Sequence, residues 1–219
     1  MRQYFSLLKR TNLFLGITEK EIESLLCCLE AREHSYEKEE CIFARGEQVM
    51  SVALLLKGSV HIQKEDYWGN LSILNEILPG EIFGEVYACL RNDFILNNAV
   101  AVKQSNVLFL DMKKALTICS TACPFHGRLV KNLLSIMALK NKALTQKLEH
   151  MSQRTTREKL RSYLSEQSLR AGCSSFDISF SRQQLADFLS VDRSAMSHEL
   201  CKMRDEGMIS FQKNHFVLH

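Results

Sequence analysis

Arg193, Ser194, Ser197, His198 and Lys202 recur at i, i+1, i+4, i+5 and i+9, which gathers five hydrogen-bond donors on one face of a helix. Such a face is suited to reading base-pair edges. An arginine near the first turn can bond both acceptors of a guanine in the major groove, serine or histidine can read neighbouring bases, and a lysine farther along meets phosphate. The plainer alternative is a polar, solvated face on a small helical domain.

The elements that must hold this face are legible on either side of it. Ser181 and Gln184 form a capping-box pair, so a helix should begin at Arg182, with Leu185, Ala186 and Leu189 as its buried face. Ser190-Val191-Asp192 leaves room only for a tight turn. Asp192 then caps a second helix with Met196, Leu200 and Met203 facing inward, ending near Gly207. Two short helices joined in this way are a helix-turn-helix. Ile209 to Phe211 and Phe216 to Leu218 alternate around Gln212-Lys213-Asn214-His215, which predicts a two-stranded wing with a basic tip. Arg182 and Lys213 join the five donors as expected DNA contacts.

Upstream, Val130, Leu134, Met137, Asn141, Leu144, Leu148 and Met151 are separated by 4, 3, 4, 3, 4 and 3 residues. This is a heptad seam, and it predicts a dimerisation helix from about Pro124 to Met151. Asn141 falls on an a position, where a buried amide pair favours a parallel two-stranded register. A parallel dimer is what a palindromic duplex site requires. Leu129, Leu133, Ile136, Leu139 and Ala143 form a second stripe, expected to pack on the chain's own N-terminal domain. The alternative is an ordinary core helix with two buried faces.

Residues 36 to 111 read as strands: Val52 to Leu56, Val60 to Gln63, Leu71 to Ile77 and Val107 to Leu110 lie between Gly46, Gly58, Gly69, Pro79-Gly80 and Gly84. Repeated turns imply a sandwich or barrel. The first thirty residues read as helical, with Thr18 and Glu21 as a capping box and Ile22, Leu25, Leu26 and Leu29 as the packed face. Thr155 and Glu158 start another helix, with Leu160 and Leu164 inward and Gly172 near its stop, and a hinge is expected near Ser152 to Thr156.

The composition is that of an ordinary globular chain, 46% hydrophobic and 24% charged over 219 residues, enough for two domains. Net charge is only +3, and residues 151 to 219 hold ten Lys/Arg against eight Asp/Glu, so DNA affinity must come from a local patch. Without a long apolar run or a basic-then-apolar leader, the expectation is a cytoplasmic protein with no membrane association.

RGEQ at 45–48, LKGSV at 56–60 and LPGEIFGE at 78–85, followed by the long helix and FSRQQLADFLSVDRSAMSHEL, resemble the cyclic-AMP receptor protein and fumarate-nitrate regulator (Crp/Fnr) family over nearly the whole chain. RTTREKL at 154–160 and KNHFVL at 213–218 look especially like Firmicutes members without an assigned ligand. The resemblance implies an α+β chain in three parts. A β-roll (double-stranded β-helix, cyclic-nucleotide-binding-like) with an N-terminal helix spans 1–122, a dimerisation helix 123–152, and a winged helix-turn-helix domain 153–219. It also implies a homodimeric transcriptional regulator, not an enzyme, with double-stranded DNA, its own twin and RNA polymerase as partners. Carried over, the base-reading positions are Arg193, Ser194, Ser197 and His198. Arg193 matches the reading arginine of the cyclic-AMP branch, which carries glutamate at Ser194 and a second arginine at His198, so a different half-site is expected. Ser190 replaces the usual turn glycine.

The expected effector pocket is Gly84, Glu85, Asn97 and Asn98. Cyclic-nucleotide binders of the family place an Arg-Ser or Arg-Thr pair after the Gly-Glu pair, whereas this chain reads Leu96-Asn97-Asn98-Ala99. A buried phosphate there would lack its cation, so cyclic AMP is not the expected effector and the cofactor is unknown. Arg91 is the nearest substitute. Eight cysteines invite a redox or metal reading, although Cys27, Cys28 and Cys41 lack the spacing of the family's iron-sulfur branch. Cys119-x3-Cys123-Pro124-Phe125-His126 is more suggestive, because Pro124 suits the first turn of a helix and would put the Cys123 thiol at its positive end. The bland alternative makes both cysteines small buried residues and His126 a satisfied surface residue. Two other classes fare worse. A cupin-like metalloenzyme would need clustered ligands that His34 and His61 do not supply, and a cyclic-nucleotide-binding-like regulatory subunit would leave residues 181–218 unexplained.

Overall fold

The structure is a computed structural model that describes residues 2–65, 67–68, 71–90, 93–112, 114 and 124–219. Two compact units divide the chain, residues 1–137 and 138–219.

In the first unit, α1 (Phe5–Leu8) and α2 (Glu19–Cys28) precede two four-stranded antiparallel sheets. Thr18 and Glu21 form the expected capping box, the Thr18 N–H donating to the Glu21 carboxylate at 2.8 Å. One sheet has the order β1 (Arg32–Tyr36), β8 (Ser105–Asp111), β3 (Ser51–Lys57), β6 (Ile82–Phe83). The other runs β2 (Cys41–Phe43), β7 (Asn98–Ala101), β4 (Val60–Glu65), β5 (Leu71–Ile77). A short helix, α3 (Glu85–Cys89), follows β6.

The central strand β3 reads SVALLLK, and residues 52–56 are all buried. A strand covered on both faces loses the polar half of its alternation. Val52, Leu54 and Leu56 face one cluster with Leu108, Leu110 and the N-terminal helices; Ala53 and Leu55 face another with Val60, Phe83, Ala99 and Val107. The second cluster fills the roll.

The long helix α4 (Pro124–Met151) has the predicted bounds. Within the first unit, Leu129 and Leu133 are buried among the N-terminal helices, and Asn132 donates to the carbonyls of Leu13 (3.0 Å) and Leu15 (2.8 Å). The second apolar stripe is therefore only half as long as its sequence spacing predicts. Leu139 is 61% exposed and Ala143 is exposed; both belong to the second unit.

The second unit contains α5 (Thr156–Ala171), α6 (Arg182–Leu189), α7 (Arg193–Asp205) and a three-stranded sheet, β10 (Ile209–Gln212), β11 (His215–Leu218), β9 (Ser175–Asp177). Thr155 and Glu158 cap α5 reciprocally, and Gly172 ends it in the left-handed conformation. Leu160, Leu164, Leu185, Leu189, Met196, Leu200, Met203 and Phe216 make one core.

Candidate nucleic-acid interface

The reading helix is held from behind. The Ser181 N–H donates to the Gln184 side chain at 2.8 Å, and the Gln184 N–H returns to the Ser181 hydroxyl at 3.3 Å, so α6 starts at Arg182. Asp192 accepts from the Ala195 N–H at 2.7 Å and starts α7 at Arg193. Met196, Leu200 and Met203 are at most 1% exposed, which pins one face of α7 to the core. Behind the helix, Arg157 of α5 bonds both Glu206 oxygens, at 2.8 and 2.7 Å, and Glu199. These bonds hold the Glu206 carboxyl below its usual range and raise the Arg157 guanidinium further. Sequence reading missed Arg157, since its partners lie 42 and 49 residues away.

The opposite face of α7 is open. Arg193, Ser194, His198 and Lys202 are exposed, while Ser197 is half-buried with its hydroxyl donating to the Arg193 carbonyl at 2.9 Å. Four exposed donors and the half-buried Ser197 thus share one flank whose first turn carries the arginine.

The turn between the helices strains one residue. Ser190 has φ 51° and ψ 58°, left-handed values that cost a non-glycine residue about 1 kcal/mol or more. The conformation is supported by the Val191 N–H bonding the Ala186 carbonyl at 3.0 Å, and by Lys159 Nζ donating to the carbonyls of Leu189 (3.1 Å) and Ser190 (3.4 Å). Ser190→Gly should stabilise the protein by about 0.5–1 kcal/mol, seen as a higher urea midpoint at unchanged slope.

The two basic residues around the wing take different places. Lys213 is exposed at the tip with φ 52°. Arg182 is half-buried: its guanidinium lies 4.9 Å from the ring centres of both Phe211 and Phe216 and donates to the Lys213 carbonyl at 2.9 Å. Burial pulls its pKa below the usual arginine value. In this arrangement Arg182 clamps the wing, with Nη1 buried and unbonded among the described residues. His215, expected at the basic tip, stitches β11 to β9, its ring lying 3.1 Å from both Asp177 and Ser175. Strand β9 was not anticipated, because SFD offers a single buried residue as signal.

Along α4, Leu134, Leu144 and Leu148 are 62–65% exposed and Asn141 is exposed, while Val130, Met137 and Met151 are half-buried. A leucine row left this open within one chain is an unpartnered surface.

In the β-roll, Gly84 takes φ 74° as the N-cap of α3, and a Cβ there would sit 2.7 Å from the Phe43 ring. Glu85 is 5% exposed. Asn97 is half-buried, and Asn98 accepts from the Arg45 N–H at 2.8 Å. The Leu96 N–H donates to the Tyr87 hydroxyl at 3.3 Å, which brings the segment before β7 to α3. Arg45 is a cation that the sequence reading did not weigh here, but its guanidinium donates to the Glu65 carbonyl at 3.4 Å. Arg91 lies outside the described residues, as do Gly69, Cys119 and Cys123. His126 is 8% exposed, not a surface residue, and its buried Nδ1 has no hydrogen-bond partner among the described residues. No helix of the described residues is long and apolar enough to cross a membrane.

Comparison with known proteins fits this geometry. Residues 33–122 match the family model of the cyclic nucleotide-binding domain, and residues 158–219 that of the Crp-like helix-turn-helix domain. No curated protein matches significantly. Among solved structures, the chain is similar to the catabolite activator protein of Thermus thermophilus, with 22% identity, 95% of this chain and 94% of that one covered, and a TM-score of 0.50. It is similar also to CprK complexed with OCPA (14%, 91% and 91%, TM-score 0.64) and to the c-di-GMP-responsive regulator CLP of Xanthomonas campestris (17%, 90% and 97%, TM-score 0.56). A β-roll of the cyclic nucleotide-binding type, a long helix and a Crp-like helix-turn-helix follow one another in this chain, which therefore belongs to the Crp/Fnr family of DNA-binding transcription regulators.

Proposed function

We propose that the chain acts as a homodimer that reads a palindromic duplex site. Arg193, Ser194, Ser197 and His198 contact bases, Lys202 and Lys213 contact phosphate, and Arg182 holds the wing that presents Lys213. Residues 1–122 sense, 123–152 pair and 153–219 read. The observation that carries the reading is α7: capped by Asp192 and buried along one face, it leaves its first turn exposed with an arginine at its start. The exposed Leu134, Leu144 and Leu148 support pairing, with Asn141 setting the register.

Selection from random-sequence DNA tests this directly, and an inverted repeat with half-site centres one helical turn or a multiple of it apart is the expected product. On the selected site, Arg193→Ala should weaken binding by about 1–3 kcal/mol and relax discrimination at one base pair per half-site. Equal affinity of variant and parent in gel shift would remove Arg193 from the reading set.

The effector is a small molecule other than cyclic AMP. Leu96-Asn97-Asn98 puts amides and a leucine where the phosphate cation would stand, and Arg45 is already bonded to a carbonyl. Neighbours of the same fold are described with unlike ligands, OCPA and c-di-GMP, so the fold itself does not prescribe one. RNA polymerase is the further partner of such a regulator, and the likeness of residues 154–160 and 213–218 to Firmicutes members favours a signal outside the cyclic-AMP branch. A second reading, redox or metal sensing through Cys119 and Cys123, has the buried, unbonded Nδ1 of His126 in its favour. Removing both cysteines should then change thiol reactivity, metal content or DNA affinity under oxidant; no change in any of them rejects it.

A further inference from the structure

The last turn of α4 carries a side chain that base reading alone does not require. His150 is 3% exposed, yet both ring nitrogens are engaged by α5: Nδ1 lies 2.8 Å from the Ser162 hydroxyl and Nε2 lies 2.6 Å from a Glu166 carboxylate oxygen. Glu166 is ion-paired with Arg170, and Arg170 donates back to the Gln146 side chain of α4 at 2.7 Å. The chain of bonds crosses between α4 and α5 three times, from one turn of α4 to two turns of α5. Around the imidazole the neighbours are aromatic. The imidazole stands edge-on to Tyr163 at 5.8 Å and lies 6.2 Å from Phe188 of α6, and burial pushes the Tyr163 phenol up to about 12. Lys147, one turn before His150, sits 5.4 Å from the centre of the same Phe188 ring.

A leucine at position 150 would bury as well and escape the desolvation cost of a polar ring. It would, however, hold no direction. Hydrogen bonds at both nitrogens fix the rotation of α4 about its own axis against α5, and a buried imidazole bonded on both sides selects one arrangement among several packings of similar energy. The compact unit that contains α7 begins at Ala138, so the final half of α4 belongs to the reader and the turn at 152–155 is bridged from both sides by these contacts. The expected hinge near Ser152 to Thr156 is thereby fastened at its base.

We infer that His150 is a positioning residue: with Ser162, Glu166 and Arg170 it registers the reading helix on the dimer helix, and so sets the half-site spacing that the dimer accepts. The inference rests on the homodimeric reading above. In a two-fold dimer the separation of the recognition helices follows from the angle each α7 keeps to its own α4. A loosened joint would let the two readers reach operators of altered spacing, at a cost in affinity for the correct one.

The test uses the full-length protein and gel shift on two DNAs, the selected palindrome and the same palindrome with one base pair inserted between its halves. Wild type should prefer the correct spacing by about tenfold or more. His150→Leu should keep its melting temperature within a few degrees while this preference falls below about threefold, and His150→Gln, which can still bond Glu166, should restore most of it. A His150→Leu protein as selective as wild type overturns the inference. So does a loss shared by His150→Gln and accompanied by a drop in melting temperature, which would make His150 a packing residue. If wild type itself selects no palindrome, the homodimeric reading fails first, and this result is distinct from the other two.

Discussion

The double variant Leu144→Asp/Leu148→Asp is expected to be a monomer that no longer shifts a palindromic operator at concentrations where the parent does. The two leucines are 63% and 65% exposed within one chain and occupy successive positions of the heptad seam. Burying a leucine side chain contributes about 1.5–3 kcal/mol, and a two-fold interface contains each of them twice. Losing four such contributions, and placing like charges across the seam, should weaken association by at least ~6 kcal/mol, or about four orders of magnitude. Sedimentation equilibrium reads this directly. The fold of the chain should survive, because neither leucine is buried within the chain. Leu139→Asp is the control: equally exposed at 61%, it lies off the seam and should leave the dimer intact. Equal dissociation by both variants would show that the pairing face is misassigned.

What the sequence reveals of this fold follows the range of the interactions involved. Caps and turns are local, so Thr18 with Glu21, Thr155 with Glu158, Ser181 with Gln184 and Asp192 all stand where their spacing put them. Periodicity found α4, expected from about Pro124 to Met151, since so many positions give the pattern time to declare itself. The four-residue wing strands β10 and β11 declared themselves by their alternation, but several other strands of two to five residues did not. β1 reads REHSY, β6 has only Ile82 and Phe83, and β9 has one buried residue, so each is a strand because a neighbour pairs with it.

Side chains that reach across the fold were harder still. Arg182 reads as a free cation at a helix start, yet two phenylalanines some thirty residues later enclose it. His150 belongs to none of the motifs picked out in the sequence, and its partners lie 12 and 16 residues on, beyond any helical period. The exposed flank of α7 was legible because exposure there is what amphipathic spacing encodes. The effector pocket was not, because the sequence shows which cation is missing without showing what replaces it.

The motif LKGSV illustrates how a local signal can conceal a long-range reason, and it supports the largest single-residue effect expected in the β-roll. Gly58 has φ +105°, and a Cβ built on it would lie 2.1 Å from Ser105 Oγ and 2.7 Å from Ser105 Cα. Ser105 is fully buried, and its hydroxyl accepts from the Ser59 N–H at 3.2 Å and bonds the Lys103 carbonyl at 2.7 Å, so the side chain has no room to retreat. Backbone strain at a positive φ costs about 1–3 kcal/mol for a non-glycine residue, and overpacking against backbone adds about 1–3 more. Gly58→Ala should therefore destabilise the roll by about 4 kcal/mol, read as a lower urea midpoint for the unit comprising residues 1–137. Gly46→Ala separates the two causes. Gly46 has φ +87° but nothing within 4 Å of its would-be Cβ, so that variant should lose only the strain. The difference between the two variants, about 1–3 kcal/mol, is the cost of crowding Ser105. Equal losses would mean that the motif glycine is kept for its dihedral alone and that the β3–β4 turn has space against β8.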